Sequence, residues 1–433
     1  MGRAINATTR HSAAASLLDM GKYLDCRLML AFSFLSFAFL SGCGGRSSSL
    51  SAPPITAAPT PTPAPQATPQ DYAVYASTYP DDFLPSGIFA YRVSGSTGIA
   101  TPIAGLPFAA PHGIAKLMVS RNNNVLFANS FDSIDFSTDQ FGADRGMYTL
   151  QIATDGTLSA PVRLNQTYFP ATLSPSGSFL YRAESSDASF GSPLSLTAYA
   201  VNQSSGTLSP QTIAPVTVSG QEIFDGELVT DPTGFWVKTG NPVSNVHTFE
   251  HFQIQNQTGA VSDPQHEAII GVDMYSTMVA ASVNYLVALD GTARVQNTLH
   301  FWTIQNSSIT AEFILTGCGL SFCPDEGTTV AINPTQTFAF VLNHDSILTV
   351  PLSLSAGPDF DHARSTPLPA SHFFNGGTFA LSPDGKVLAL GRFGELDIFM
   401  VAADGSLTPA LGSPFQTSLT APPVVAIAGL PLQ

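Results

Sequence analysis

The chain has 433 residues and a formal net charge of −15, and only 11% of its residues are charged, against roughly a quarter in an average soluble protein. The acidic balance argues against nucleic acid as a partner and against a polyphosphorylated substrate, because phosphate recognition needs a basic face. Apolar residues make up 44%, so Ser, Thr, Asn, Gln and Gly must cover most of the surface. This composition favours strands and turns over exposed helices, which usually carry Glu and Lys.

Residues 1–42 have the features of a signal peptide. Lys22 and Arg27 precede an uncharged apolar run, Leu28–Leu40, and small residues follow it. A basic start, a short apolar core and small residues before a cut site are typical of export signals. The run is too short to span a membrane, which takes about 20 residues. Met20 is an alternative start, because all of these features lie beyond it.

The Leu-Ser-Gly-Cys sequence that ends at Cys43 resembles the lipobox of bacterial lipoproteins. The resemblance implies that Cys43 receives lipid, becomes the mature N-terminus and tethers the protein to a membrane without spanning it. We therefore expect an exported protein, anchored by lipid to the bacterial cell envelope at the outer membrane or on the periplasmic side. The alternative is a chance cysteine behind an ordinary signal peptide.

Residues 43–70 are predicted to be the lipidated cysteine and an extended linker. Alternating prolines in Ala58–Pro69 favour a semi-rigid polyproline spacer that cannot form a packed core. Cleavage before Cys43 leaves 12 cationic and 29 anionic residues, a formal charge of −17. The acidity is therefore a property of the body, residues 71–433.

The body contains a unit that recurs about every fifty residues, which is the spacing of blade repeats in propellers. The unit is an alternating strand that ends in a turn, usually with glycine. The copy at His300–Ser308 lacks the glycine. The seven copies are Phe89–Gly98, Tyr148–Gly156, Thr197–Gly206, Phe249–Gly259, His300–Ser308, Ile347–Leu352 and Ile398–Gly405.

A second unit joins a Pro-containing turn to an apolar strand, as expected between two antiparallel strands. It occurs at Leu173–Tyr181, Thr230–Val237, Ile332–Phe340 and Leu381–Ala389. Each repeat then holds about four short strands, which is the content of a propeller blade. The sequence predicts an all-β fold: a seven-bladed β-propeller with four antiparallel strands per blade.

The two ends of the body are predicted to close the ring by pairing with each other. Tyr72–Ala76 resembles the second strand of a blade, whereas Val424–Ile427 resembles a first strand. Together with strands at 88–93 and 99–106 they complete the seventh blade. This closure removes an exposed sheet edge. The rival folds are an open β-solenoid and a pair of β-sandwiches.

In such a blade, the loops after the second and fourth strands open on one face, which we call the upper face. Binding and catalytic residues concentrate in loops on rigid scaffolds, so we expect the functional site here. The positions after fourth strands are His112, Asp225, the Cys318–Cys323 loop and His372, and those after second strands are the loop 130–145, Arg182, His344 and Arg392.

Three motifs of the body are Pro111-His112, Gly142–Arg145 followed by Met147-Tyr148, and Ser382–Gly385 with Gly391–Gly394. They resemble motifs of the lactonase-type seven-bladed propellers, which include bacterial 6-phosphogluconolactonase and fungal muconate-lactonizing enzymes. The repeat covers nearly all of the body, so the resemblance implies the propeller fold and makes lactone hydrolysis a candidate activity.

His112, Arg145 and Arg392 are the candidate catalytic residues. Arginine can clamp a carboxylate or stabilise an oxyanion, and histidine can act as a general base for water that attacks a lactone carbonyl. The structural alternative is that His112 satisfies a strand end and that the arginines pair with acids such as Asp144 and Glu395.

Asp144, His344 and His372 are candidate ligand-binding residues on the same face. Two functions follow: a non-catalytic module that binds a ligand or a protein at the cell envelope, which we favour, and a hydrolase of a small lactone. The sequence contains no G-x-S-x-G elbow and no P-loop, and we expect no cofactor. We expect a monomer that meets the membrane only through its lipid.

Three other patterns have a structural interpretation. His247–His251 matches a metalloprotease motif, but that motif needs a helix, and on the predicted strand Glu250 points away from both histidines. Cys318 and Cys323 are expected to form a local disulfide, since export favours it and no second ligand pair accompanies them for a metal. A solvated loop is favoured over a Ca²⁺ site for the acidic residues Asp132, Asp135, Asp139 and Asp144. We therefore expect no metal.

Overall fold

A computed structural model describes the strands and turns of the body. All described residues fall within one unit, Pro65–Gln433, and none of them forms a helix that could cross a membrane. The described ranges are 71–77, 87–111, 113–130, 134–135, 140–141, 146–164, 171–185, 194–211, 217–218, 228–241, 246–262, 265–269, 277–290, 298–305, 308–316, 329–343, 346–368, 377–392, 394–417 and 423–430.

The strands form seven antiparallel sheets of four or five strands. We number these sheets as blades in chain order and name the strands of each blade from the innermost outwards. Blade 1 contains β34 (Val424–Leu430), β1 (Asp71–Ser77), β2 (Gly87–Ser94) and β3 (Ala100–Pro102), with β4 (Phe108–Ala109) also paired to β2. Blade 2 contains β5 (Ile114–Val119), β6 (Val125–Ser130), β9 (Gly146–Gln151) and β10 (Val162–Arg163), with a separate hairpin of β7 (Ile134–Asp135) and β8 (Gln140–Phe141). Blade 3 contains β11 (Ala171–Leu173), β12 (Phe179–Ser185), β13 (Leu194–Val201) and β14 (Leu208–Gln211), with β15 (Thr217–Val218) paired to β13.

The remaining four blades follow in chain order. Blade 4 contains β16 (Leu228–Asp231), β17 (Gly234–Asn241), β18 (Val246–Gln253) and β19 (Gln265–Ile269). Blade 5 contains β20 (Thr277–Ala281), β21 (Tyr285–Asp290), β22 (Thr298–Gln305) and β23 (Ser308–Thr316). Blade 6 contains β24 (Val330–Ile332), β25 (Phe338–Asn343), β26 (Ser346–Ser353) and β27 (Gly357–Pro358), with β28 (Arg364–Pro367) paired to β26. Blade 7 contains β29 (Thr378–Leu381), β30 (Val387–Arg392), β31 (Glu395–Val401) and β32 (Leu407–Pro409), with β33 (Phe415–Gln416) paired to β31.

The two ends of the body pair as predicted. β1 lies antiparallel to β34, with Tyr72 opposite Gly429 and Ala76 opposite Val425. The innermost strand β34 contacts β5 on one side and β29 on the other. The ring is therefore closed and the protein is a seven-bladed β-propeller. The β-solenoid and the paired sandwiches are wrong.

The fourth strand of blade 1 differs from its predicted extent of 99–106. It is split into β3 and β4, both of which pair with β2. Gly105 has a φ of 93°, and Pro107 has no N–H to donate to a ladder. These two residues interrupt the strand between its two paired pieces.

Both faces of each blade are buried, because each blade packs between two others. The second strands accordingly lack the usual apolar–polar alternation, and every residue of Val125–Ser130 is buried. Among the described residues, one apolar cluster lies at each of the seven junctions between blades. The folding free energy that comes from apolar burial is therefore distributed around the whole ring.

A turn glycine anchors most blades to the preceding one. In six blades the turn between the third and fourth strands carries a glycine with positive φ. If this glycine were replaced by a residue with a Cβ atom, the Cβ would collide with, or press tightly on, the preceding blade. Tyr75 and Tyr181 donate hydrogen bonds from Oη to the carbonyls of Gly156 and Gly259, both at 2.9 Å. The six glycines are Gly98, Gly156, Gly206, Gly259, Gly357 and Gly405.

We expect Gly259→Ala to lower the free energy of unfolding by about 2–3 kcal/mol. Gly259 has a φ of 70°, and a Cβ at this position would lie 2.5 Å from the ring of Phe179. The matched control is Asn256→Ala, an exposed change in the same turn that should stay within about 0.5 kcal/mol. Urea unfolding followed by fluorescence measures both, and equal midpoints would contradict the anchoring role.

Candidate functional site

The predicted site residues fall mostly outside the described residues. The antiparallel order confirms that second and fourth strands end at the same face of every blade. Arg182 and Arg392 are described, and both lie on second strands, Arg182 within β12 and Arg392 at the end of β30. The predicted positions outside the described residues are Cys43, His112, Asp144, Arg145, Asp225, Cys318, Cys323, His344 and His372.

Arg392 is held between two buried carboxylates. Its Nε donates to Asp397 Oδ2 at 2.6 Å and its Nη2 to Glu395 Oε2 at 2.8 Å. The other oxygen of Glu395 accepts a hydrogen bond from Gln416 at 2.8 Å. Burial raises the pKa of Asp397 despite the nearby guanidinium. Two of the three guanidinium nitrogens are thus committed to the protein itself.

Lys116 is a cation that the sequence analysis did not single out. It lies near the start of the innermost strand β5, and its Nζ donates to the carbonyls of Ala171 at 2.9 Å and Leu228 at 3.2 Å. These residues begin the innermost strands β11 and β16 at the upper face. The Lys116 ammonium therefore joins the upper ends of the innermost strands of blades 2, 3 and 4.

Burial lowers the pKa of Lys116 to about 8, because the charged form loses solvation. The side chain is enclosed by the inner strands and still has intermediate exposure, as expected for a group that faces a channel. Within the described residues, no carboxylate contacts it. The available sequence signal was a lysine in an otherwise apolar strand, in a body that contains only Lys116, Lys238 and Lys386.

Arg182 is a second cation near the same end of the channel. It lies opposite Ala171 in the β11–β12 register, and its guanidinium carbon lies 5.5 Å from the centre of the Tyr199 ring. Burial lowers its pKa as well. An acidic protein thus places two partly buried cations close to the upper end of its inner strands.

The His247–His251 segment lies on strand β18, as predicted. Glu250 and His251 are both buried and stand on opposite faces of the strand. His251 Nε2 lies 2.8 Å from Asp231 Oδ2. The helix that the metalloprotease motif requires is absent at this segment.

Comparison with known proteins supports the fold. The sequence matches no family model and no curated protein. The structure resembles a "putative 6-phosphogluconolactonase" from Bacteroides uniformis, with a TM-score of 0.53 and 13% identity over 83% of this chain and 100% of that one. A second protein with that description, from Bacteroides fragilis, gives 0.50 and 14% over 84% and 99%. A hypothetical selenium-binding protein from Sulfolobus tokodaii gives 0.50 and 10% over 84% and 95%.

Identities this low show the fold alone. The resemblance to lactonase-type seven-bladed propellers is therefore confirmed at the level of the fold.

We expect Arg392→Ala to destabilise the protein by about 3–5 kcal/mol, because Glu395 and Asp397 would remain buried without their counter-charge. Adding Glu395→Gln and Asp397→Asn should restore part of the loss. The matched control is Arg364→Ala, whose partner Asp404 is exposed, so a much smaller change is expected. Urea midpoints measure all variants, and equal effects at Arg392 and Arg364 would contradict the buried-pair interpretation.

Proposed function

We propose that the chain is an envelope-anchored lipoprotein whose propeller binds a small anionic ligand at the upper end of its channel without transforming it. The observation that carries this proposal is the enclosed ammonium of Lys116. An ammonium group has three donors, and two of them reach backbone carbonyls. The third donor, together with a positive charge that no carboxylate of the described residues contacts, favours a bound anion.

The pairing of Arg392 supports binding over catalysis. A guanidinium that stabilises a developing oxyanion must present its donors to the reacting atoms. Arg392 instead directs Nε and Nη2 to Asp397 and Glu395. This pairing gives Arg392 a structural role at the edge of the upper face.

Hydrolysis of a small lactone is the second candidate function. The fold is shared with proteins that carry a lactonase name. In this alternative, His112 acts as general base and Arg145 and Arg392 hold the substrate, with Asp144, His344 and His372 around it. The net charge of −15 argues against a polyanionic or multiply phosphorylated substrate.

The full chain, purified in detergent, tests the two functions with D-gluconate and glucono-δ-lactone. We expect gluconate to raise the melting temperature saturably in the parent, because it binds only the folded form. The effect should disappear in Lys116→Gln. It should persist in Lys386→Gln, which removes a half-exposed lysine from the opposite face.

We expect no lactone hydrolysis above the uncatalysed rate in a pH-stat assay. Turnover that is lost in Arg145→Ala, with folding intact, would replace the binding proposal by the hydrolase. A gluconate effect that survives Lys116→Gln would remove Lys116 from the site.

The lipid anchor is tested by Cys43→Ala. We expect this variant to lose metabolic labelling with a fatty acid and to leave the membrane fraction, since lipid is the only proposed attachment. Cys26→Ala is the matched control, because Cys26 lies inside the predicted signal peptide and should not change labelling. Unchanged membrane association of Cys43→Ala would refute the anchor.

A further inference from the structure

The fifth blade breaks the pattern of turn glycines. In blade 4, the turn after β18 spans residues 255–260 between the bridged pair Ile254 and Val261, and its Gly259 packs on blade 3. In blade 5, Gln305 already pairs with Ser308, so only Asn306 and Ser307 join the two strands. The hairpin of blade 5 is therefore shorter than that of blade 4, and its sequence contains no glycine that could pack against blade 4.

A cleft lies at the junction where this turn is short. Its volume is about 470 Å³, within the range of roughly 300–1,000 Å³ that is usual for small-molecule sites. It opens on the face opposite to Lys116, because its walls include the turns between first and second strands. The cleft is lined by Asp231, Thr233 and His251 of blade 4 and by Val283, Asn284, Ile304 and Gln305 of blade 5.

The one carboxylate in the wall is fully used by its own blade. Asp231 Oδ1 accepts hydrogen bonds from the backbone N and the hydroxyl of Thr233, both at 2.6 Å, and from Gly234 N at 2.9 Å. Asp231 Oδ2 accepts from Trp236 Nε1 at 2.9 Å and faces His251 Nε2 at 2.8 Å. The Asp231 carboxylate therefore offers little to a cation.

His251 completes the buried wall. Its ring is tilted against Trp236 with centroids 4.7 Å apart, and its side chain is 2% exposed. With Nε2–H assigned as the donor to Asp231, Nδ1 is left as an acceptor that has no hydrogen-bond partner in the described part of the chain. The pair fixes the shape of the wall and leaves one acceptor unsatisfied.

The rest of the lining is neutral. Gln305 presents an exposed amide, and the amide nitrogen of Asn284 is turned to Gln336 at 2.9 Å, which leaves its carbonyl oxygen for a ligand. Val283 and Ile304 add apolar surface. Amides beside apolar patches, with no free charge, suit a ligand that has several hydroxyls and one apolar face.

We propose that this cleft is a second binding site, for a neutral sugar of mono- or disaccharide size. It is independent of the anion site at the upper face. The position of the cleft follows from the repeat, because blade 5 has no turn glycine that packs on the preceding blade, and blade 5 forms one wall of the cleft.

Saturation-transfer NMR on the full chain tests the site with D-glucose, N-acetyl-D-glucosamine and maltose, in a detergent without a sugar headgroup. We expect transfer to at least one sugar and a measurable Kd. Val283→Trp, which fills the cleft, should weaken binding at least tenfold, and Gln305→Ala should weaken it severalfold. Leu354→Trp is the matched control, since Leu354 is an exposed apolar residue in a turn on the same face.

Lys116→Gln should leave sugar binding unchanged, because Lys116 belongs to the proposed anion site on the opposite face. The sugar site and the anion site are therefore tested independently of each other. Melting temperatures verify that each variant is folded. The absence of transfer from all three sugars, or binding that survives both Val283→Trp and Gln305→Ala, would overturn the proposal.

Discussion

The whole structure depends on one constraint: a blade that is apolar on both faces cannot be stable without a neighbour on each side. Val125–Ser130 is buried along its full length, and most of the described side chains of the other second strands are buried as well. An open row of such sheets would leave two apolar faces in water at its ends. The pairing of β1 with β34 closes the ring, and every blade then has two neighbours.

Both proposed sites lie where the sequence departs from the repeat, because the side chains at the regular positions pack against neighbouring blades. Lys116 is a charged residue in an innermost strand, and its ammonium donates to the carbonyls of Ala171 and Leu228 on the next two blades. The short hairpin between Gln305 and Ser308 stands where other blades carry a turn glycine. Lys116 adds a cation at the upper face, and the short hairpin of blade 5 borders the cleft on the opposite face.

Charges inside the ring are arranged in two ways. Arg392 neutralises Glu395 and Asp397 within a single blade, so those three groups mainly stabilise the fold. The Lys116 ammonium has only carbonyl dipoles around it in the described part of the chain, and burial lowers its pKa to about 8. A paired buried charge is costly to separate from its partner, whereas an unpaired buried charge favours a ligand of opposite sign.

The number of blades, the turn positions and the closing pair of strands could be predicted from the amino-acid order, because strand alternation and Pro–Gly turns are local signals. The pairing of Tyr72–Ala76 with Val424–Ile427 followed from counting strands in each repeat. The contact of Lys116 with Leu228, and the meeting of Asp231 with Gln305 in one cleft, could not be predicted in this way. Those contacts depend on which strand ends face each other across a closed ring, and only the tertiary structure decides that.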